Sequence, residues 1–494
     1  MKRDSEFTRK LTLLVPGLII CFCVIQPMMD VLAFWKKELG IPDLLLTVLR
    51  FCSFAAIILA GFLLSRRKKL YLLFAGFCLL YLAGHILAAC GMGYQDPVLD
   101  LTDQLRVLIL PAVTAAMMTF LDRSEGAFRA LKTGLIADLG IFLLVAALSE
   151  LTGRDPHTYL GRGIGVLGWF LWPNSQSAIL SMLAPLSISW SYERFSKRVL
   201  PMVLTALISF GLLFLLGTRL AFVTIPLTGV GMAVSMLIAD REARRPALAL
   251  LLLTVLLTAL YPLSPMRESQ LRGEENEAVK QERVDAAVAS CGVDPGAGST
   301  EDPEALAAAY HYFLQGVVDR FGIDRTARAY DYTLDQAAIF DGRRKKLVFN
   351  ELLMEDASEL SHWFGLEISR MHQQTQIYDF YADSWTEGTE AFAPENDLHG
   401  IYYTGGWVLL AGILGWMLWY GLGVLKALLR NGKRVFTVSF AAFCCAYCFF
   451  LIYAYTTNSV LRQTRNTFCV SAVLSGLWYL SRRRGAESKE GVSS

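Results

Sequence analysis

The stretch VLPMVLTALISFGLLFLLGTRLAFVTIPLTGVGMAVSMLIA, residues 199–239, holds one charged side chain, Arg219, in forty-one residues. At ~1.5 Å of rise per helical residue, that length crosses a ~30 Å hydrocarbon layer twice, with Arg219 at the bend. A guanidinium at mid-bilayer costs at least ~2.5–3.5 kcal/mol, so the arginine belongs at a water-facing or protein-lined helix end. Two spans joined by one cation set the pattern for the whole chain.

Working outward, apolar runs of spanning length fall near residues 11–34, 43–64, 70–92, 105–122, 128–150, 166–191, 199–217, 219–239, 246–264, 401–425, 435–457 and 466–481. The fold class expected is all-α: a polytopic membrane protein of about twelve transmembrane helices. Of the 494 residues, 54% are hydrophobic and 18% charged, below the ~25% charged of a soluble domain. Charge is unevenly spread. Pro265–Gly400 carries 12 Lys and Arg against 26 Asp and Glu, a net −14, which leaves +16 for the rest of the chain. The organisation expected is helices 1–9 in 1–264, a large acidic domain in 265–400, helices 10–12 in 401–481 and a tail in 482–494.

Lys and Arg in short loops give orientation. The N-terminus, SRRKKL (65–70), DRSEGAFRALK (122–132), YERFSKR (192–198), DREARRP (240–246), LLRNGKR (428–434) and SRRRG (481–485) are basic, and they are every second connection. FWKKELGIPD is a mild exception among the alternate loops. Both termini are therefore expected in the cytoplasm and the acidic domain outside; MKRDSEFTRK, without a cleavage site after the run that follows it, reads as a retained signal anchor. The acidic domain has helical rather than alternating patterning, with candidate helices at 268–290, 303–321, 325–340 and 345–361. No Gly-rich phosphate loop ending in Lys-Ser/Thr is present, which argues against an ATP-driven pump. FCCAYC, with Cys444, Cys445 and Cys448, lacks His or carboxylate neighbours and reads as packing cysteines; no metal or other cofactor is expected.

Polar residues gather in three places. Asp30, Arg50, His85, Arg106, Arg219, the WPNSQS patch with Asn174, and Arg462 and Arg465 all fall at the outer ends of apolar runs. Each has a bland alternative, snorkelling or a structural pair such as Asp30 with an arginine; Arg219, with no acidic neighbour in sequence, favours binding. ENDLH supplies Glu395, Asn396, Asp397 and His399 where the acidic domain re-enters the membrane: a general base from Glu395, Asp397 or His399, or helix capping by Asn396 or Asp397. Asp397 and His399, two residues apart, cannot share a helix face. FDGRRKKLVF sets Arg343, Arg344, Lys345 and Lys346 inside an acidic domain, suiting a phosphate or diphosphate, or else a solvated helix start. DLTD at 100–103 pairs two carboxylates but reads as a solvated loop.

Outward-facing arginines suit a lipid diphosphate, whose oxygens the planar guanidinium fork matches. Where a glycan hangs from that diphosphate, the held leaving group needs no acid catalyst. The remaining tasks are to align an acceptor hydroxyl and take its proton.

QPMMDVLAFW, LTGRDPHTYLGRGIGVLGWFLWPNSQSAILSMLAPL, LLGTRLAF at 215–222, YPLSP, FDGRRKKLVF and ENDLHGIYYTGGWVLLAGILG stand in the order that resembles the O-antigen ligase and polysaccharide polymerase superfamily. The resemblance implies transfer of a glycan from a polyprenyl diphosphate carrier to a glycan or anchor acceptor, at the outer face of a bacterial plasma membrane. Arg219 takes the place of the arginine that binds the donor diphosphate, with Arg50 and Arg106 in support and Asn174 and Asn396 beside the cleft; Arg343 or Arg344 fits a second arginine from the outer domain. The ligases' His-Asn base is replaced by Glu395-Asn396, which leaves Glu395, Asp397 and His399 open. Membrane lipids are the surroundings, no nucleic-acid partner is implied, and the choice of polymerase or ligase, the sugar and the oligomeric state are not readable. The competing class is a transporter or flippase for lipid-linked glycans, whose usual two matching halves the sequence lacks.

Overall fold

The computed structural model describes residues 6–154, 157–159, 163–379, 384–457 and 460–490. Along the chain run α1 (Glu6–Phe34), α2 (Asp43–Leu64), α3 (Lys68–Gly91), α4 (Pro97–Arg123), α5 (Ala127–Thr152), α6 (Pro173–Arg194), α7 (Val199–Leu216), α8 (Arg219–Ala239) and α9 (Arg244–Ala259). There follow α10 (Pro265–Ser290), α11 (Pro303–Phe321), α12 (Ile323–Ala329), α13 (Gln336–Ile339), α14 (Gly342–Glu355) and α15 (Glu359–Phe364). Next come the strands β1 (His372–Asp379) and β2 (Ser384–Ala391), then α16 (Asp397–Val435), α17 (Val438–Thr456) and α18 (Thr467–Glu490). Among the described residues, α1–α5, α7, α8, α16 and α17 are long and apolar enough to cross a membrane.

The other three expected spans differ in character: 166–191 is helical only from Pro173, as α6, and 246–264 is α-helical only to Ala259. α9 has only 16 residues, and α18 ends in a charged run. α6 is rich in serine and almost wholly buried; Ser175, Gln176, Ser177, Ser181, Ser187, Ser189 and Ser191 are all interior. A helix shielded by other helices can carry hydroxyls that lipid would reject, provided each finds a partner.

The chain divides into two compact units. The first comprises residues 1–77, 106–269 and 413–494. In it α1 packs on α5, α6 on α7 and α17, and α8 on α9. Gly134 lets α5 approach α1 closely: a Cβ there would lie 2.8 Å from Cys23 Sγ. Such small-residue contacts are how helices associate where lipid removes the hydrophobic drive.

The second unit comprises residues 78–105 and 270–412. Its core joins Val284, Tyr310, Leu314, Phe349, Leu353 and Phe392, with Phe349 and Phe392 stacked 3.8 Å apart. The expected helices 268–290 and 303–321 appear as α10 and α11. The expected 325–340 helix is broken into α12 and α13, because Asp331 and Tyr332 both take positive φ of 54° and no helix continues through two such residues. The expected 345–361 helix begins earlier, at Gly342, where the Asp341 carboxylate accepts from Arg343 N at 2.9 Å, and ends at Glu355. The β1–β2 hairpin, antiparallel with Thr375 opposite Gly388, was not expected. Its polar, Gln- and Thr-rich strands lack the apolar alternation that announces a strand.

Candidate functional site

Arg219 is the first residue of α8, and the turn before it is held on three sides. Gly217 adopts φ +69°, and a Cβ there would meet Pro265 at 2.8 Å, so the position demands glycine twice over. Thr218 caps α8, its hydroxyl accepting from Ala221 N at 3.3 Å. The same hydroxyl donates to Ser177 in α6 at 3.0 Å. Ser177 lies 2.5 Å from the Tyr453 hydroxyl, which is 2.9 Å from Ser181, itself 2.9 Å from Thr224. This buried hydroxyl chain ties α6, α8 and α17 together beneath the turn. The Arg219 side chain is exposed and has no ion-pair partner among the described residues. A permanent cation at a helix N-terminus, where free amides already favour negative charge, is suited to an anion.

The same end of α6 carries a second cationic group. Arg465 lies over the Trp172 ring, 5.4 Å from its centroid. Trp172 and Ser177 are five residues apart, ~7.5 Å along the helix axis. Burial lowers the hold of the Arg465 guanidinium on its proton, Asp30 acts against this, and the charges of Arg50 and Arg106 add to burial. Arg50 is paired with Asp30 at 2.6 Å, which is the structural alternative open to it in the sequence. Asn174, in the first turn of α6, is exposed.

In the second unit the basic run meets carboxylates one by one. Lys346 donates to Glu395 at 2.7 Å and Arg343 reaches the other oxygen at 3.3 Å. Arg344 lies 3.8 Å from Asp331 and over the Tyr330 ring, and Lys345 is buried against Glu390 at 2.6 Å. Burial alone would raise the Glu395 carboxyl; Lys346 and Arg343 outweigh it and hold it below its ordinary value. Asn396 is the helix cap, its side-chain oxygen accepting from Leu398 N at 2.8 Å and His399 N at 3.3 Å. Asp397 is fully buried and His399 exposed, on different faces of α16.

DLTD is not a solvated loop: it lies in α4, with Asp100 and Asp103 buried. His85 faces the Asp100 carboxylate at 2.7 Å through Nε2 and the Phe364 carbonyl at 2.6 Å through Nδ1. Tyr94 and Ile368 N also donate to Asp100, at 2.8 and 3.1 Å, and Glu367 takes the backbone amides of Gln95 and Asp96. This network pins residues 364–368 to the segment 85–100. Its signal in the sequence is an ionisable His in one apolar run answered by an Asp at the start of the next.

A family described as O-antigen ligase like membrane protein matches residues 14–286. No curated protein matches the chain. The matched region takes in Arg50, Arg106, Asn174 and Arg219 and stops before the basic run and ENDLH. It spans more than half of the 494 residues, and the chain belongs to the O-antigen ligase-like family of membrane proteins.

Proposed function

We propose that this protein transfers a glycan from a polyprenyl diphosphate carrier to an acceptor hydroxyl at the outer face of a bacterial plasma membrane. The observation that carries the reading is Arg219: exposed, without an ion-pair partner among the described residues, at a helix N-terminus, on a turn fastened to α6. Its fork grips the donor diphosphate, with Arg106 and Arg465 raising the positive potential near the start of α6, Arg50 held in place by Asp30, and Asn174 beside them. Arg343 and Arg344 supply a second cationic position, Glu395 holding the Arg343 side chain until a phosphate replaces it.

The acceptor oxygen attacks the anomeric carbon from the face opposite the diphosphate. The carbon–oxygen bond to phosphate breaks, polyprenyl diphosphate departs with its electrons, and the acceptor proton passes to a base in 395–399. We assign that base to His399. It is the exposed member of the three, whereas Glu395 is held by two cations and Asp397 is buried. The termini are cytoplasmic and residues 265–400 extracytoplasmic in this reading, following the basic loops.

The test is incubation of purified protein with labelled polyprenyl diphosphate glycan and acceptor. Transfer by wild type and its loss in Arg219→Ala, with an unchanged melting curve, are expected. Labelled glycan that crosses a vesicle membrane without joining any acceptor would instead mark a transporter.

A further inference from the structure

A cavity of about 440 Å³ opens between the C-terminal half of α16 and residues 477–482 of α18. On α16 its wall includes the stripe Trp419, Gly423, Lys426 and Arg430; on α18 it includes Trp478 and Arg482. The spacings of three, four and seven residues put each set on one helix face. Arg482 lies over the Trp478 ring, 4.7 Å from its centroid. No Asp or Glu is among the described lining residues, and Lys426, Arg430 and Arg482 are exposed without an ion-pair partner among the described residues.

In this proposal the parts of α16 and α18 that line the cavity lie at one membrane boundary. Indole rings favour that boundary, and cations just beyond it meet lipid phosphates. The volume falls in the ~300–1,000 Å³ range of small-ligand sites. Leu422, exposed on the same wall, offers an apolar surface continuous with the bilayer.

We propose that this cavity is a binding site for an anionic phospholipid, its phosphate held by Lys426, Arg430 and Arg482 and its acyl chain lying along Trp419 and Leu422. Arg430 and Arg482 offer planar forks from two different helices, so one phosphate bridges α16 to α18 and sets their spacing. The site is independent of the transferase chemistry, since none of its residues has a part in donor binding or proton removal.

Native mass spectrometry of the full chain in detergent tests this, with phosphatidylglycerol, phosphatidylcholine of the same chains, and inorganic phosphate as probes. Wild type should retain phosphatidylglycerol at least about tenfold better than phosphatidylcholine, a difference of about 1.4 kcal/mol. Lys426→Gln/Arg430→Gln/Arg482→Gln should lose that preference while Arg219 and the hydroxyl chain are untouched. Should the triple variant not fold, Arg430→Gln alone carries the comparison, with about a threefold loss expected. Equal retention of the two lipids by wild type overturns the proposal, as does a variant that keeps full preference. Inorganic phosphate binding as well as the lipid would make this a free-anion site and also overturn it.

Discussion

Arg219 gains its character from the residues around it. Its charge is permanent, and Gly217, Thr218 and Ser177 fix the turn from which it projects. Arg219→Ala should lower transfer by about 10²–10³-fold, as expected when a leading stabiliser of leaving-group charge is removed. Arg219→Lys should recover only part of this, because an ammonium has no fork; full activity with lysine in a labelled-glycan assay would show that point charge is enough. Glu395 makes a separate prediction on the acid side. Its folded value is depressed, so its contribution is present above the ordinary glutamate range and is lost as pH falls through the folded value. Melting temperature followed from about pH 7 down to about pH 3 should therefore drop at the acid end, and Glu395→Gln should flatten that drop. His399→Ala should slow transfer by about 10²–10⁴-fold, with the melt unchanged because the side chain is exposed. At this scale the sequence made Arg219 stand out by its isolation. It did not separate Glu395, Asp397 and His399, because their environments come from Arg343 and Lys346 some fifty residues earlier and from the burial of one face of α16.

At the scale of elements, α6 is the helix on which the first unit is organised. It is mostly buried, and its hydroxyls at Ser177, Ser181 and Ser187 are answered by Thr218, Thr224, Ser209 and Tyr453. Tyr453→Phe removes the group between Ser177 and Ser181 and leaves buried hydroxyls short of a partner, a cost of about 1–3 kcal/mol. A fall in melting temperature together with a weaker apparent affinity for donor is expected; a fall in stability alone would separate the hydroxyl chain from the positioning of Arg219. The apolar runs themselves were legible, since length and hydropathy suffice for a helix whose backbone must be satisfied internally. The β1–β2 hairpin was not, because its strands are mostly polar and the one aromatic pair, Tyr378 opposite Trp385, makes no alternation in the sequence.

At the scale of the whole molecule, residues 78–105 belong with 270–412, not with the apolar runs that flank them in sequence. The segment 270–412 expressed alone lacks His85 and Asp100, and with them the partners of the Phe364 carbonyl and Ile368 amide. It should melt without a cooperative transition, as read by circular dichroism, whereas a sharp melt would mean that the His85–Asp100 network is dispensable. Orientation is checked by placing a single cysteine at position 219 of a cysteine-free variant: a membrane-impermeant reagent should label it from the outside only. What the sequence determined by itself was the helical membrane class, the acidic segment and the isolation of one cation, all of which follow from local hydropathy and charge. Only the tertiary structure decided that Asp100 answers His85, that Glu395 is held by Arg343 and Lys346, and that Thr218 leans on Ser177 and Tyr453. Each of these is a contact between residues distant in the chain, and a hydrogen bond or ion pair exists only once packing has brought its two halves within about 3 Å.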